Sequence, residues 1–328
     1  MKILVTGGAG YIGSIVTAQL IEEGHTVVVY DNLSRGHKKA VHPEAVFIKG
    51  DLSDREKIEQ TLRDHKIEAV MHFAAFIEAG ESMVKPEVYF RNNTANALTL
   101  LEAMTAQKIN YFVFSSTAAV YGNPDSIPIT EDSKLLPTNA YGASKLLVEN
   151  MMKWFDQIHK LKYAALRYFN ACGATPTLGE DHQPESHLIP LAIAAAVGKR
   201  DKLQLYGTDY PTKDGTCVRD YIHVSDLATA HVLALKKITS SKNKESKIYN
   251  LGSEKGFTNQ EVIKAVGRVL GKAVPVIEAS RRMGDPAILV ASSEKIRKEL
   301  GWIPKYTKLE DIISSAWEWR KKHLNGYK

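Results

Sequence analysis

The stretch KILVTGGAGYIGS, Lys2 to Ser14, and the run TVVVYDN that ends at Asn32 decide the reading of the fold. Ile3, Leu4 and Val5 form an apolar run too short for a helix, so they read as a strand. After it, Gly7, Gly8, Gly10 and Gly13 occupy a turn that satisfies G-x-G-x-x-G from Gly8. Glycines let the backbone turn tightly and approach a pyrophosphate with no side chain in the way. A helix from about Tyr11 to Glu23 then offers free N–H groups and a partial positive charge. Asp31 ends the second apolar strand roughly 20 residues later, where a carboxylate accepts a hydrogen bond from a ribose 2′-OH and repels a 2′-phosphate. A glycine-rich turn alone only connects elements. The strand before it, the helix after it and the acid at that distance point to a dinucleotide, NAD rather than NADP.

Outward from this unit the alternation repeats. A third strand at about Ala45 to Ile48 ends in Gly50-Asp51-Leu52, and Asp51 either meets an adenine amino group or caps a helix over Ser53 to His65. A fourth strand, Glu68 to Phe73, runs into Ala74 and Ala75, whose small side chains leave room for a ligand at the carboxyl edge of the sheet. The helix expected after Pro86 carries Val88, Leu98, Leu101 and Met104 on its apolar face, interrupted by Asn92 and Asn93. Buried amides need partners, so these either bridge elements or touch the cofactor. Tyr111 to Phe114 forms a fifth strand leading into the hydroxyls of Ser115, Ser116 and Thr117. A helix over Asn139 to His159 and a sixth strand, Tyr163 to Tyr168, follow.

Strands alternating with helices predict an α/β fold with a doubly wound, Rossmann-type parallel sheet. From Ala174 to Pro190 the chain is loop-like. Residues 1–172 therefore read as the NAD-binding domain, to which the segment 220–236 returns, and 173–328 as a smaller α/β substrate domain.

The 328 residues suffice for a real core, and 44% hydrophobic with 24% charged residues exclude disordered and fibrous classes. No apolar stretch reaches the ~18 residues of a membrane span and no signal-peptide layout opens the chain, so a cytoplasmic location without membrane partners is expected. Cys172 and Cys217 match no metal spacing and read as reduced structural thiols; no metal is expected. The net charge of +6 suits anionic small molecules. It is spread out, with clusters only at Lys242 to Lys247 and Arg320 to His323, and does not suggest nucleic acid.

Tyr141 and Lys145 place a phenol and an ammonium on one face of a helix. Of the 14 tyrosines, Tyr141 alone has a lysine four residues on. The helix follows the fifth strand and its hydroxyls, beside the expected nicotinamide end of the crevice. A base useful near pH 7 needs the phenol pKa lowered by about 3 from its ordinary value near 10, about 4 kcal/mol in favour of the phenolate. Lys145 and the nicotinamide cation are the two charges able to supply it. Thr117 either aligns a substrate hydroxyl with Tyr141 or caps the end of its own strand.

With these residues on the page, the chain resembles the extended short-chain dehydrogenase/reductase superfamily and, within it, the UDP-glucose (UDP-galactose) 4-epimerases. The resemblance covers essentially the whole chain. It rests on TGGAGYIGS, YDNLSRG, Gly50-Asp51-Leu52, HFAA, the Tyr141 to Lys145 motif, LRYFNACGA from Leu166, YPTKDGTCVRDYIHVSDLA from Tyr210 and RRMGDPA from Arg281. It implies catalysis by Tyr141, Lys145 and Thr117, in which the phenolate takes the sugar 4-OH proton while C4 passes hydride to NAD. The resulting 4-keto sugar turns over and accepts the hydride on its other face, a step of galactose metabolism.

It further implies NAD contacts from Gly7, Gly10, Tyr11, Ile12, Gly13, Asp31, Asn32, Asp51, Leu52, Phe73, Ala74, Ala75, Asn93, Ser115, Tyr141, Lys145 and Tyr168. Contacts to the UDP-sugar are implied for Thr117, Tyr141, Asn170, His187, Leu188, Tyr206, Arg219, Arg282, Asp285 and Leu289, with the arginines on the diphosphate. Arg219, beside Asp220, has a surface role as its alternative. A homodimer is also implied. The chain departs from the family where a lysine often follows HFA, with Phe76, Ile77 and Glu78 there instead, and in carrying His187 where an asparagine is common. Leu289, of intermediate bulk, leaves N-acetylated sugars open. Nucleotide-sugar 4,6-dehydratases and decarboxylases, which need an acid just after the Thr117 position, are the enzyme alternative; Ala118 and Ala119 stand there. A non-catalytic NAD-binding protein is the other.

Overall fold

The computed structural model describes residues 1–240 and 245–327. Its organising feature is the alternation of side chains along β1 (Lys2–Thr6), β2 (Thr26–Asp31), β3 (Val46–Lys49), β4 (Ala69–His72), β5 (Tyr111–Thr117) and β6 (Lys162–Tyr168). Ile3, Val5, Val27, Val29, Met71 and Val113 enter one apolar cluster, and Leu4, Val28, Tyr30, Val70, Phe112 and Phe114 the other. Successive strand residues face opposite sides, and a sheet apolar on both needs helices over both. Helix α1 (Tyr11–Glu22) covers the first cluster, while α2 (Arg55–Asp64), α5 (Asn96–Ala106) and α6 (Ala140–His159) cover the second.

Between β4 and α5 run the short helices α3 (Ala79–Ser82) and α4 (Pro86–Tyr89) and a π-helical turn, Phe90–Ala95. That turn corrects the apolar face expected after Pro86. A π turn carries more residues than an α turn and rotates everything beyond it, so Leu98 is exposed while Tyr89, Asn93, Ala97, Leu101 and Met104 are buried. The cap of α2 is also corrected: Asp54, not Asp51, accepts the Lys57 N–H.

Past β6 come β7 (Asn170–Cys172), α7 (Leu188–Ala196), β8 (Leu203–Tyr206), β9 (Val218–His223), α8 (Val224–Ser240) and β10 (Lys247–Leu251). Then follow β11 (Gly256–Thr258), α9 (Asn259–Leu270), β12 (Val276–Ala279), β13 (Ile288–Leu289), α10 (Glu294–Leu300) and α11 (Leu309–Lys322). The chain re-enters the first layer twice. Helix α8 packs its Leu227, Ala230 and Leu235 into the α1 cluster, and β10 pairs with β6 as the seventh strand of the all-parallel order β10-β6-β5-β4-β1-β2-β3. Residues 220–223 stay outside that sheet, because β9 is the centre of a second one with β7, β11 and β13. Helices α7, α9 and α11 surround a separate core there.

Both cysteines are buried and unpaired. Of the basic run Lys242 to Lys247, residues 242–244 lie outside the described residues. The run at Arg320 is more than a solvated face, since its guanidinium donates to the Glu180 carbonyl. Among the described residues no helix is long and apolar enough to cross a membrane.

The direction of the strand order reverses between β1 and β4, and α1 begins beside that switch. Gly7, at φ +74°, has space for no Cβ because one would lie 2.5 Å from the Ala74 nitrogen, and a Cβ on Gly13 would lie 2.3 Å from the Gly7 carbonyl oxygen. Gly7 serves the close approach of β1 to the end of β4, and Gly13 the close packing of helix on strand. Gly80, by contrast, has nothing within 4 Å of a Cβ and sits inside a helix. Gly13→Ala is therefore expected to lose about 1–3 kcal/mol of stability from overpacking, and Gly80→Ala to hold or gain up to about 1 kcal/mol. Denaturant melts of the two variants test this; equal behaviour would overturn the packing account.

Candidate functional site

A cavity opens along the carboxyl ends of β1, β2, β4, β5 and β6, where an open α/β sheet binds its ligand. Of the residues expected at the cofactor, Gly7, Gly10, Tyr11, Ile12, Gly13, Asp31, Asn32, Asp51, Leu52, Phe73, Ala74, Ala75, Ser115, Tyr141 and Tyr168 line it. Of those expected at the substrate, Thr117, Tyr141, Asn170, His187, Arg219, Asp285 and Leu289 line the same space.

The chain's own groups fit a dinucleotide here. Helix α1 starts at Gly10 with no side-chain cap and no acidic residue in its first turn, which leaves amide donors free for an anion. Asp31 is held in place by accepting the Ala9 and Leu33 N–H groups. Burial raises its carboxyl above the ordinary range, and these bonds pull it back down. Asp51 accepts from Asn32, Ser53 N–H and the Ser53 hydroxyl, and the Ser53 bonds hold its carboxyl below the usual range. It lines the cavity rather than capping a helix.

Several expected residues lie elsewhere. Asn93 is buried behind the wall: its Oδ1 accepts the Phe76 N–H at 2.8 Å, and its Nδ2 donates to the Phe76 carbonyl at 2.9 Å and to Ser144 Oγ at 3.1 Å. It bridges elements, and Asn92 and Asn96 face the cavity in its place. Lys145 lies beneath the lining. Leu188 packs into the core of α7, α9 and α11. Arg282 is exposed outside the cavity with its guanidinium 4.1 Å over the Tyr206 ring, so neither residue reaches in. Arg219 does, with Nη2 4.0 Å from Asp285 Oδ1.

Around Tyr141, α6 and β5 converge. Asn139 caps α6 by accepting the Gly142 N–H, and Thr117 accepts the Ala119 N–H at 3.1 Å at the end of β5. The Thr117 hydroxyl also acts on the Tyr141 phenol, and of the two roles that the sequence left open the strand-end cap is the one seen. Burial pushes the Tyr141 phenol up to about 12; the bond from Thr117 lowers it, and the nearby Glu78 carboxylate raises it. The expected lowered phenol is therefore not a property of the protein alone. Lys145 Nζ donates to the Ser115 carbonyl at 2.7 Å and sits 4.8 Å over the Phe114 ring, and burial brings its ammonium down to about 7.

Three features escaped the sequence reading. Glu78 lines the cavity with its carboxylate accepting from Tyr89 and the Ile77 N–H. Arg35, from YDNLSRG, puts a cation in the lining beside the segment after HFAA: it lies 3.9 Å from Glu78, stacks on Phe76 and donates to the Gln183 carbonyl. Glu180 and His182, beside the expected His187, come from the segment otherwise read only as a loop. The spacing E-x-H-x-x-E-x-H, Glu180 to His187, was the available signal. Burial opposes charge at both Glu180 and His187. Their mutual attraction nevertheless holds the carboxyl below its ordinary range and the imidazole above.

The sequence profile described as the NAD dependent epimerase/dehydratase family matches residues 3–252. The whole chain is 51% identical to a UDP-glucose 4-epimerase of Lacticaseibacillus casei and 50% identical to one of Streptococcus mutans, covering 99% of each. It superposes on a crystal structure of a UDP-glucose 4-epimerase with a TM-score of 0.95 at 49% identity, with both chains fully covered. A UDP-glucose 4-epimerase from Bifidobacterium longum in complex with NAD+ and UDP gives 0.94 at 36% identity, covering 99% of this chain and all of that one.

Lys145 yields a prediction with a fixed sign. The folded chain releases this proton near pH 7, the unfolded chain near 10.5, so between them the unfolded state holds more protons and stability rises with pH. Below pH 7 the full cost of a buried charge remains. In ligand-free protein, the stability difference between wild type and Lys145→Met should move in favour of wild type by about 1 kcal/mol per pH unit from pH 7 to 9. A flat difference in urea melts would show an ordinary lysine.

Proposed function

The chain belongs to the NAD-dependent epimerase/dehydratase family, and from that premise we propose that it is an NAD-dependent isomerase interconverting UDP-galactose and UDP-glucose. The observation that carries the reading is one cavity joining the Tyr141–Thr117 hydroxyl pair to the Arg219–Asp285 pair. NAD, held by the open amides of α1 and by Asp31, would supply the hydride acceptor and donor for sugar C4. The protein's own groups do the rest. The planar fork of Arg219 matches a diphosphate oxygen pair, fixing the nucleotide while the sugar stays free to turn. Thr117 holds the Tyr141 oxygen, and that oxygen accepts the 4-OH proton and later gives it back. Ala118 and Ala119 follow Thr117 and provide no acid for expelling water, which sets the reading apart from a 4,6-dehydratase.

Purified protein incubated with UDP-galactose and no added cofactor should form UDP-glucose and release no keto sugar. Tyr141→Phe should lower turnover by ~10² or more. A released keto sugar would identify a dehydratase, and near-normal turnover of the variant would remove the phenol from the chemistry.

The reading extends to a homodimer in the cytosol. Leu147, Trp154 and Ile158 stand on one exposed face of α6, Trp154 and Ile158 each 64% exposed, with Leu98 exposed on neighbouring α5. Helices carrying such a row bury it in a partner. The self-complementary occupant is a second copy. Sedimentation should give twice the chain mass of 36.4 kDa, and Trp154→Glu should return a monomer; a monomeric wild type would overturn the assignment.

A further inference from the structure

The segment that borders the cavity between β7 and α7 gathers, around the His187 expected at the substrate, a group of four that the function above does not use together. Glu180, His182, Glu185 and His187 each offer one potential ligand atom, and all four atoms lie within 4.8 Å of one another. His187 Nδ1 is 2.7 Å from Glu180 Oε1 and 3.0 Å from Glu185 Oε1, and His182 Nδ1 is 3.1 Å from the same Glu180 oxygen. Among the described residues these carboxylates have no lysine or arginine partner. Glu180 is 8% exposed. Glu185 Oε2 is shut off from solvent and accepts no hydrogen bond, and a buried acceptor left unmatched costs free energy.

We propose that these four residues form a binding site for one divalent transition-metal ion of the zinc class. Two neutral imidazoles and two carboxylates around a +2 ion give a site of zero net charge, which suits its burial. Without the ion, two carboxylates must share histidine protons. The donor set selects the class, because imidazole suits zinc, cobalt and nickel whereas magnesium and calcium take oxygen ligands. The geometry is close to what the ion needs. Metal–ligand bonds of about 2.0–2.2 Å in a tetrahedron separate ligand atoms by about 3.4 Å, so the pairs now at 2.7 to 3.1 Å would open by less than about 1 Å while the widest, within 4.8 Å, close on the ion.

All four ligands come from eight consecutive residues, so little chain has to be ordered around the ion. With four protein ligands the site is closed, hence structural. The ion holds the 180–187 strap beside Tyr11, whose ring meets His182 at 6.0 Å at the start of α1. The site stands on these residues alone and does not depend on the sugar substrate.

The test uses the full-length, NAD-loaded, tag-free protein. After dialysis against chelator and then metal-free buffer, it is titrated with cobalt(II), read by the visible absorption of the bound ion, with zinc as competitor. The expected result is one cobalt per chain in a tetrahedral spectrum, displaced by zinc. His182→Ala and Glu185→Gln, made separately so that one misfolded variant does not remove the control, should each weaken binding at least tenfold while keeping the wild-type circular dichroism. No saturable cobalt binding, binding equal in both folded variants, or an octahedral spectrum that calcium or magnesium displaces would each overturn the proposal.

Discussion

A single close approach governs the architecture: the α-carbon of Gly13 lies so near the Gly7 carbonyl that a Cβ there would be 2.3 Å from its oxygen. This contact seats the first turn of α1 on the carboxyl end of β1, so its open amides face the gap where the strand order reverses. Several of the residues that line the cavity are then strand ends delivered to that gap. The sheet places Asp31 from β2, Thr117 from β5 and Tyr168 from β6 around one space without help from any flexible segment. Parallel register does this automatically, because all seven strands point their carboxyl ends the same way.

The sheet and its helices were legible because their signals are local. Apolar alternation, strand length and the glycine turn lie within a few residues of one another. The errors have local causes too. A π turn at Phe90–Ala95 rotates the helix and exposes Leu98, and no periodicity count of α-helical pitch foresees it. Asp51 and Asp54 are equally good acids for a cap, and only the start of α2 chooses Asp54. Asn92 and Asn93 are neighbours, so sequence gave no reason to turn the second into the wall and the first toward the crevice.

The far side of the cavity was less legible. Arg35 reaches Gln183 across 148 positions of chain, and the Glu180 to His187 strap has no strand or helix of its own to betray its place. The segment after HFAA illustrates the point: the cation beside it is Arg35, from the loop after β2. The arginines expected at the substrate divide likewise. Arg219 is fixed by β9 in the middle of a sheet and faces the cavity, whereas Arg282 belongs to a turn and lies stacked on Tyr206.

The electrostatics of Tyr141 explain why such a crevice is useful. Burial and the Glu78 carboxylate hold the phenol at about 12, so a base near pH 7 requires a preference for the phenolate of about 7 kcal/mol. Lys145 cannot furnish this alone. Its ammonium is given up near pH 7 and is committed to the Ser115 carbonyl, and one opposite charge shifts a neighbour by only about 1–3 pKa units. A second positive charge must enter, and an oxidised nicotinamide carries one. On the proposed reading, the phenol would be a strong proton acceptor only with such a charge beside it. Proton removal and hydride removal would then be tied to the same charge, which would keep a buried base from acting when no oxidant is present.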